Sequence, residues 1–154
     1  MMDLMKVVAD AKASNDPGRL VDLIPYARTL NMDFYEAPEG LMFRLKYQKE
    51  NVGNPSLPAL HGGVIGAFME HAGIFHILWH NESRVLPRVI DFSIDYLRPG
   101  RPEDTFALCR VWRQGKRVAN VAVEAWQGDP DKPIATARCH FLLAAPDDGA
   151  GDGR

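Results

Sequence analysis

The chain has 154 residues, enough for one domain with a proper core and too few for two comfortable ones. With 46% hydrophobic residues, 25% charged residues and a formal net charge of −2, it lacks the basic excess of a nucleic-acid binder. Cys109 and Cys139 both lie in apolar runs and fit no zinc spacing, so they read as reduced core thiols of an intracellular protein.

Residues 3–13 and 18–30 read as short helices separated by Asn15-Asp16-Pro17-Gly18; in the second, Leu20, Leu23, Ile24 and Ala27 form a one-sided apolar stripe. A hairpin follows, Met32–Glu36 and Leu41–Tyr47 about a Pro38-Glu39-Gly40 turn, and residues 48–60 read as loop. After residue 80 the pattern changes to period two. Val89–Tyr96, Thr105–Arg113, Val118–Gln127 and Ile134–Leu143 are predicted strands in hairpin order, with Val121, Val123 and Ala125 on one face. The tail from Pro146 is rich in Asp and Gly and reads as disordered.

Between these halves, residues 61–80 predict one long helix that is apolar on nearly every face and must be wrapped by something. Its length invites a membrane reading, which Glu70 and the histidines and glycines within it argue against. The N-terminus lacks the order of a signal peptide, so a cytoplasmic setting is expected. No Lys or Arg lies between Lys49 and Arg84, so Glu70 has no local cation, and a buried carboxylate without one is a candidate functional group. Gly62 and Gly63 open the helix, leaving backbone N–H groups free to approach a ligand. His76 and His80 stand at i and i+4, but no third ligand accompanies them and no metal is expected. An antiparallel sheet of about six strands, bent around the helix, with short N-terminal helices, gives an α+β fold.

Four segments in order resemble the hotdog-fold acyl-CoA thioesterases of the phenylacetate-pathway (PaaI) type. They are Leu60-His61-Gly62-Gly63 with Glu70 nine residues after the histidine, Asp91–Gly100 (DFSIDYLRPG), Gly115-Lys116-Arg117-Val118-Ala119, and Ile134-Ala135-Thr136-Ala137. The resemblance spans residues 32 to 143 and implies a thioesterase domain over 32–144, preceded by a helical segment (1–31) and followed by a tail (145–154). By this resemblance Glu70 acts as general base toward water or as nucleophile, Gly63 or Gly62 supplies the oxyanion N–H, and His61 positions the thioester. Asn54 resembles the asparagine that holds the water or the carboxylate, although it stands seven residues before His61 where the pattern has six. Near Val89 the pattern often has a small hydroxyl residue that this chain lacks. Arg98, Lys116 and Arg117 match positions that meet the phosphates of coenzyme A; no cofactor is implied beyond the coenzyme A of the substrate.

The spacing adds an argument of its own. Gly63 and Glu70 are seven residues apart on one helix, a rise of about 10 Å, so one reaction centre does not reach both. A two-fold dimer, in which the glycines of one chain face Glu70 of the other, removes the difficulty; a tetramer built as a dimer of dimers is expected from such a unit. The rival readings are an acyl-thioester hydratase or dehydratase on the same fold and a non-catalytic acyl-CoA sensor. Neither a nucleic acid nor a membrane is an expected partner.

Overall fold

The computed structural model describes residues 2–143; the tail predicted as disordered lies outside them. Helix α1 (Leu4–Ala13) is capped by Asp3, whose side chain accepts from the Lys6 N–H at 3.3 Å. The second predicted helix is divided. Pro17–Leu23 is a 3-10 helix, and α2 (Pro25–Leu30) starts only after Ile24, which is extended at φ −124°, ψ 104°. Pro25 is the cause, because its ring disfavours the helical conformation in the residue before it. Leu20 and Ala27 still reach the core.

Strands β1 (Met32–Ala37) and β2 (Gly40–Leu45) form the expected hairpin, with Arg44 bridging back to Asp33 through two side-chain hydrogen bonds of 3.0 and 2.7 Å. The predicted loop at 48–60 contains a 3-10 turn and a small hairpin, β3 (Val52–Asn54) with β4 (Ala59–Leu60). Helix α3 (Gly62–His80) follows, then β5 (Arg88–Tyr96), β6 (Thr105–Gln114), β7 (Val118–Trp126) and β8 (Pro133–Leu142).

The main sheet is antiparallel, six-stranded, and ordered β1-β2-β6-β7-β8-β5. Simple hairpin order fails at one place, for β5 pairs with β8 and not with β6. The connection through Pro99-Gly100-Arg101-Pro102 crosses from one edge of the sheet to its interior, since two prolines preclude a tight hairpin there. Strand β5 is thereby an edge strand. A bulge between Val89 and Asp91 turns Val89 inward opposite Phe141 and leaves Ile90 55% exposed, so the even-numbered alternation holds inward only from Phe92 onward.

Helix α3 lies against β2 and β5–β8, while α1, the 3-10 segment and α2 pack on it from elsewhere. Wrapped on both sides, it buries Phe68, Met69, Ala72, Phe75 and Leu78 completely. Each such large side chain contributes about 1.5–3 kcal/mol, so α3 is the centre of the core. The rings of His71 and Tyr26 are 5.6 Å apart, which ties α3 to α2. No helix among the described residues is long and apolar enough to cross a membrane.

Candidate active site

The first turn of α3 is built by His61. Its Nδ1 accepts the Gly63 N–H at 2.9 Å, and its backbone carbonyl accepts from Val64 at 3.0 Å and Ile65 at 3.2 Å. The Gly62 N–H has no hydrogen-bond partner among the described residues. The two glycines therefore differ: one donor is open and the other is held by the capping histidine. A helix start concentrates unpaired N–H groups and positive potential, which suits a developing oxyanion.

Residues missed in the sequence hold His61 in place. The His61 N–H donates to the Asn51 carbonyl at 2.8 Å, and buried Asn51 is anchored through Nδ2 to the Leu30 carbonyl at 2.9 Å. Gly53 lies so close that a Cβ there would stand 2.7 Å from the His61 Cα. From the other side Tyr96, at the end of β5, donates its hydroxyl to the Gly62 carbonyl at 2.6 Å. These contacts join distant parts of the chain, and no local pattern announces them.

Asn54 sits on β3 beside this turn, but its Oδ1 accepts the N–H groups of Ser56 (3.0 Å) and Leu57 (3.2 Å). The oxygen thus closes a local turn, and only the amide NH₂ remains free for other work. Glu70 lies two turns along α3, half-buried, and makes no ion pair or side-chain hydrogen bond among the described residues. Within a single chain its carboxylate is half-buried, less than the sequence suggests. Glu70 also reaches the neighbourhood of Cys139. Burial, followed by the carboxylates of Glu70 and Asp91, pushes the Cys139 thiol up to about 12. Burial likewise holds Cys109 well above its ordinary value, with Cys139 adding to the effect; both cysteines are free.

The three basic residues do not converge. Arg98 follows β5 and donates to the Pro133 carbonyl at 2.6 Å, at the start of β8. Lys116 and Arg117 form the β6–β7 turn at the other end of β8, where the Arg117 carbonyl accepts from Leu143 at 2.8 Å. A ten-residue strand separates these ends by roughly 30 Å. His76 and His80 are neighbours with ring centroids 4.3 Å apart, and burial, then His80, lowers His76 to about 4.

An open amide at a helix start and an unpaired carboxylate on the same helix are groups that an acyl transfer to water can use. The comparisons with known proteins agree in class: residues 57–134 match the model of the thioesterase superfamily. The medium/long-chain acyl-CoA thioesterase YigI of Escherichia coli K12 is 34% identical, the match covering 78% of this chain and 86% of that protein. A crystal structure of a Chromobacterium violaceum protein is 44% identical with a TM-score of 0.74, covering 92% of this chain and 99% of that one. A Bacillus halodurans protein crystallised with CoA shares the fold at a TM-score of 0.69 and 18% identity, over 92% of this chain and 91% of that one. The chain belongs to the thioesterase superfamily and has its hotdog fold, six antiparallel strands around one long helix.

Proposed function

We propose that the protein hydrolyses acyl-CoA thioesters to free coenzyme A and a carboxylic acid. The observation that carries this reading is the pairing, on one helix beside an open edge strand, of the unpartnered Gly62 N–H and the unpaired Glu70 carboxylate. The similarity to YigI supports acyl-CoA as the substrate class, and the CoA bound by the Bacillus halodurans protein fits the same reading. No cofactor enters beyond the coenzyme A that the substrate carries.

In this mechanism the thioester carbonyl lies against the α3 N-terminus, with the open Gly62 N–H donating to the oxygen and the Gly63 N–H, held by His61, bracing the turn. Glu70 removes a proton from water as it adds to the carbonyl carbon, or attacks that carbon itself to form an anhydride that water then opens. The tetrahedral intermediate expels the coenzyme A thiolate, which takes up a proton. His61 positions the donors, and the Asn54 amide NH₂ orients the water or the carboxylate.

The site is shared between two copies of the chain. Strand β5 is a nine-residue edge with Ile90 and Tyr96 exposed and exposed Leu97 just after it, the kind of edge that pairs with another strand. Antiparallel pairing of β5 with its copy sets the α3 N-terminus of one chain toward the middle of α3 in the other. It also carries Arg98 toward the β6–β7 turn of the second copy, so that Arg98, Lys116 and Arg117 together meet the coenzyme A phosphates. Two such dimers form a tetramer. Reduced thiols suit a cytoplasmic setting.

The test is thiol release from a series of saturated acyl-CoAs. Turnover should appear for some chain lengths and fall about 100-fold or more in Glu70→Gln. A protein that binds acyl-CoA but frees no thiol from any of them would be a sensor instead.

A further inference from the structure

The hydroxyl of Tyr96 is the polar group that reaches the α3 N-terminus from the sheet. It donates to the Gly62 carbonyl at 2.6 Å, and the ring covers Gly62 so closely that a Cβ there would stand 3.3 Å from Tyr96 Cζ. Gly66, one turn on, has the same hydroxyl 3.6 Å from its would-be Cβ. The residue is 53% exposed at the end of an edge strand.

The Gly62 carbonyl and the Gly63 N–H are two ends of one peptide unit. Tyr96 holds that unit at the oxygen and His61 holds it at the N–H, at 2.9 Å. Two successive glycines at a helix start have neither a Cβ nor an i−4 hydrogen bond to limit their rotation. The Gly62 N–H, which no protein group among the described residues engages, sits on the preceding peptide, whose His61 carbonyl accepts from Val64 and Ile65; the two bonds to the Gly62–Gly63 peptide fix it from the other side. A donor at the carbonyl also polarises that peptide and strengthens the Gly63 N–H in its bond to His61, which tightens the cap.

We propose that Tyr96 is a positioning residue for thioester hydrolysis, its hydroxyl clamping the Gly62–Gly63 peptide and so fixing the first turn of α3 whose open Gly62 N–H aims at the oxyanion. The inference rests on the thioesterase reading above. It predicts that the hydroxyl acts on the transition state and hardly on substrate binding, because the carbonyl oxygen draws most on these donors once it carries charge.

Tyr96→Phe tests it, since the variant keeps the ring against Gly62 and Gly66 and deletes only the hydroxyl. With decanoyl-CoA, kcat should fall about 10-fold while KM stays within about two-fold. In a Glu70→Gln background that stops turnover, the infrared carbonyl stretch of bound decanoyl-CoA should shift less from its free value when Tyr96 is also Phe. A purely structural role would leave that shift unchanged. If Tyr96→Phe matches the wild type in kcat and in carbonyl shift, the positioning role is wrong and the thioesterase reading stands. A rise in KM alone, or equal loss with a lowered melting temperature and an unaltered shift, also overturns it. A wild-type protein that frees no thiol removes the thioesterase reading and this inference together.

Discussion

At the residue scale, a few atoms around His61 determine the geometry of the site. Gly53→Ala would place a Cβ 2.7 Å from the His61 Cα, a backbone atom that cannot swing aside. The substitution should displace the cap and lower kcat/KM at least about 10-fold, as a small misplacement of a reacting group does, with a smaller loss in melting temperature. Gly62→Pro is a finer probe. Proline is tolerated at the first helical position, and His61 already has the extended conformation (φ −63°, ψ 128°) that a following proline requires. It removes the open N–H and makes the exposed Tyr96 ring, which a Cβ at Gly62 would meet at 3.3 Å, give by a few tenths of an ångström; kcat should fall about 100-fold in the thiol-release assay while circular dichroism stays native. The cysteines should be inert by contrast. With both thiols held above their ordinary range by burial, iodoacetamide at pH 8 should leave activity unchanged, although Cys139 lies near Glu70.

At the scale of elements, α3 combines a crowded core with one awkward histidine. Gly73 packs under Phe141, whose ring atoms would lie 2.8 Å from a Cβ. Alanine gains about 1 kcal/mol of helix propensity over glycine, but Phe141 is fully buried and has no space to move into, so overpacking wins. Gly73→Ala should destabilise by about 1 kcal/mol in denaturant unfolding. His76 is held neutral by burial, down to about pH 4, whereas the unfolded chain protonates it near 6.5. The unfolded state therefore binds the extra proton between those values, and stability falls as pH drops through that window, by up to about 3 kcal/mol. Urea midpoints at pH 7 and 4.5 should differ less in His76→Gln than in the wild type.

The elements were legible where side-chain period carries the information. Period two marks the inward Val121, Val123 and Ala125, and all-round apolarity marks α3 as enclosed. Period says which face a strand buries and not which strand it pairs with, so the placement of β5 beside β8 had to come from the fold. The break at Ile24-Pro25 was readable in principle from the proline alone. Of the candidate site, the Gly62-Gly63 start and the Glu70 carboxylate without a local cation were readable along one helix, while the roles given to them and to His61 came from the resemblance. Asn51, Gly53 and Tyr96 act on His61 or Gly62 through contacts that only folding creates, as with Tyr96 reaching across 34 residues. The scattered basic residues show the converse, since matching three sequence positions did not bring their side chains together in one chain.

At the scale of the whole molecule, the account depends on a second copy. A single chain leaves Glu70 half-buried, the β5 edge open, and Arg98 at the opposite end of the sheet from Lys116 and Arg117. The most direct measurement mixes two inactive chains. Glu70→Ala lacks the carboxylate and Gly62→Pro lacks the open donor; co-refolded, they form heterodimers in which one of the two sites is intact. Thiol release should then recover to roughly a quarter of the wild-type rate, half the dimers carrying one good site of two. Recovery to no more than the sum of the two separate variants, in mixtures shown to contain heterodimer, would contradict a site shared between subunits.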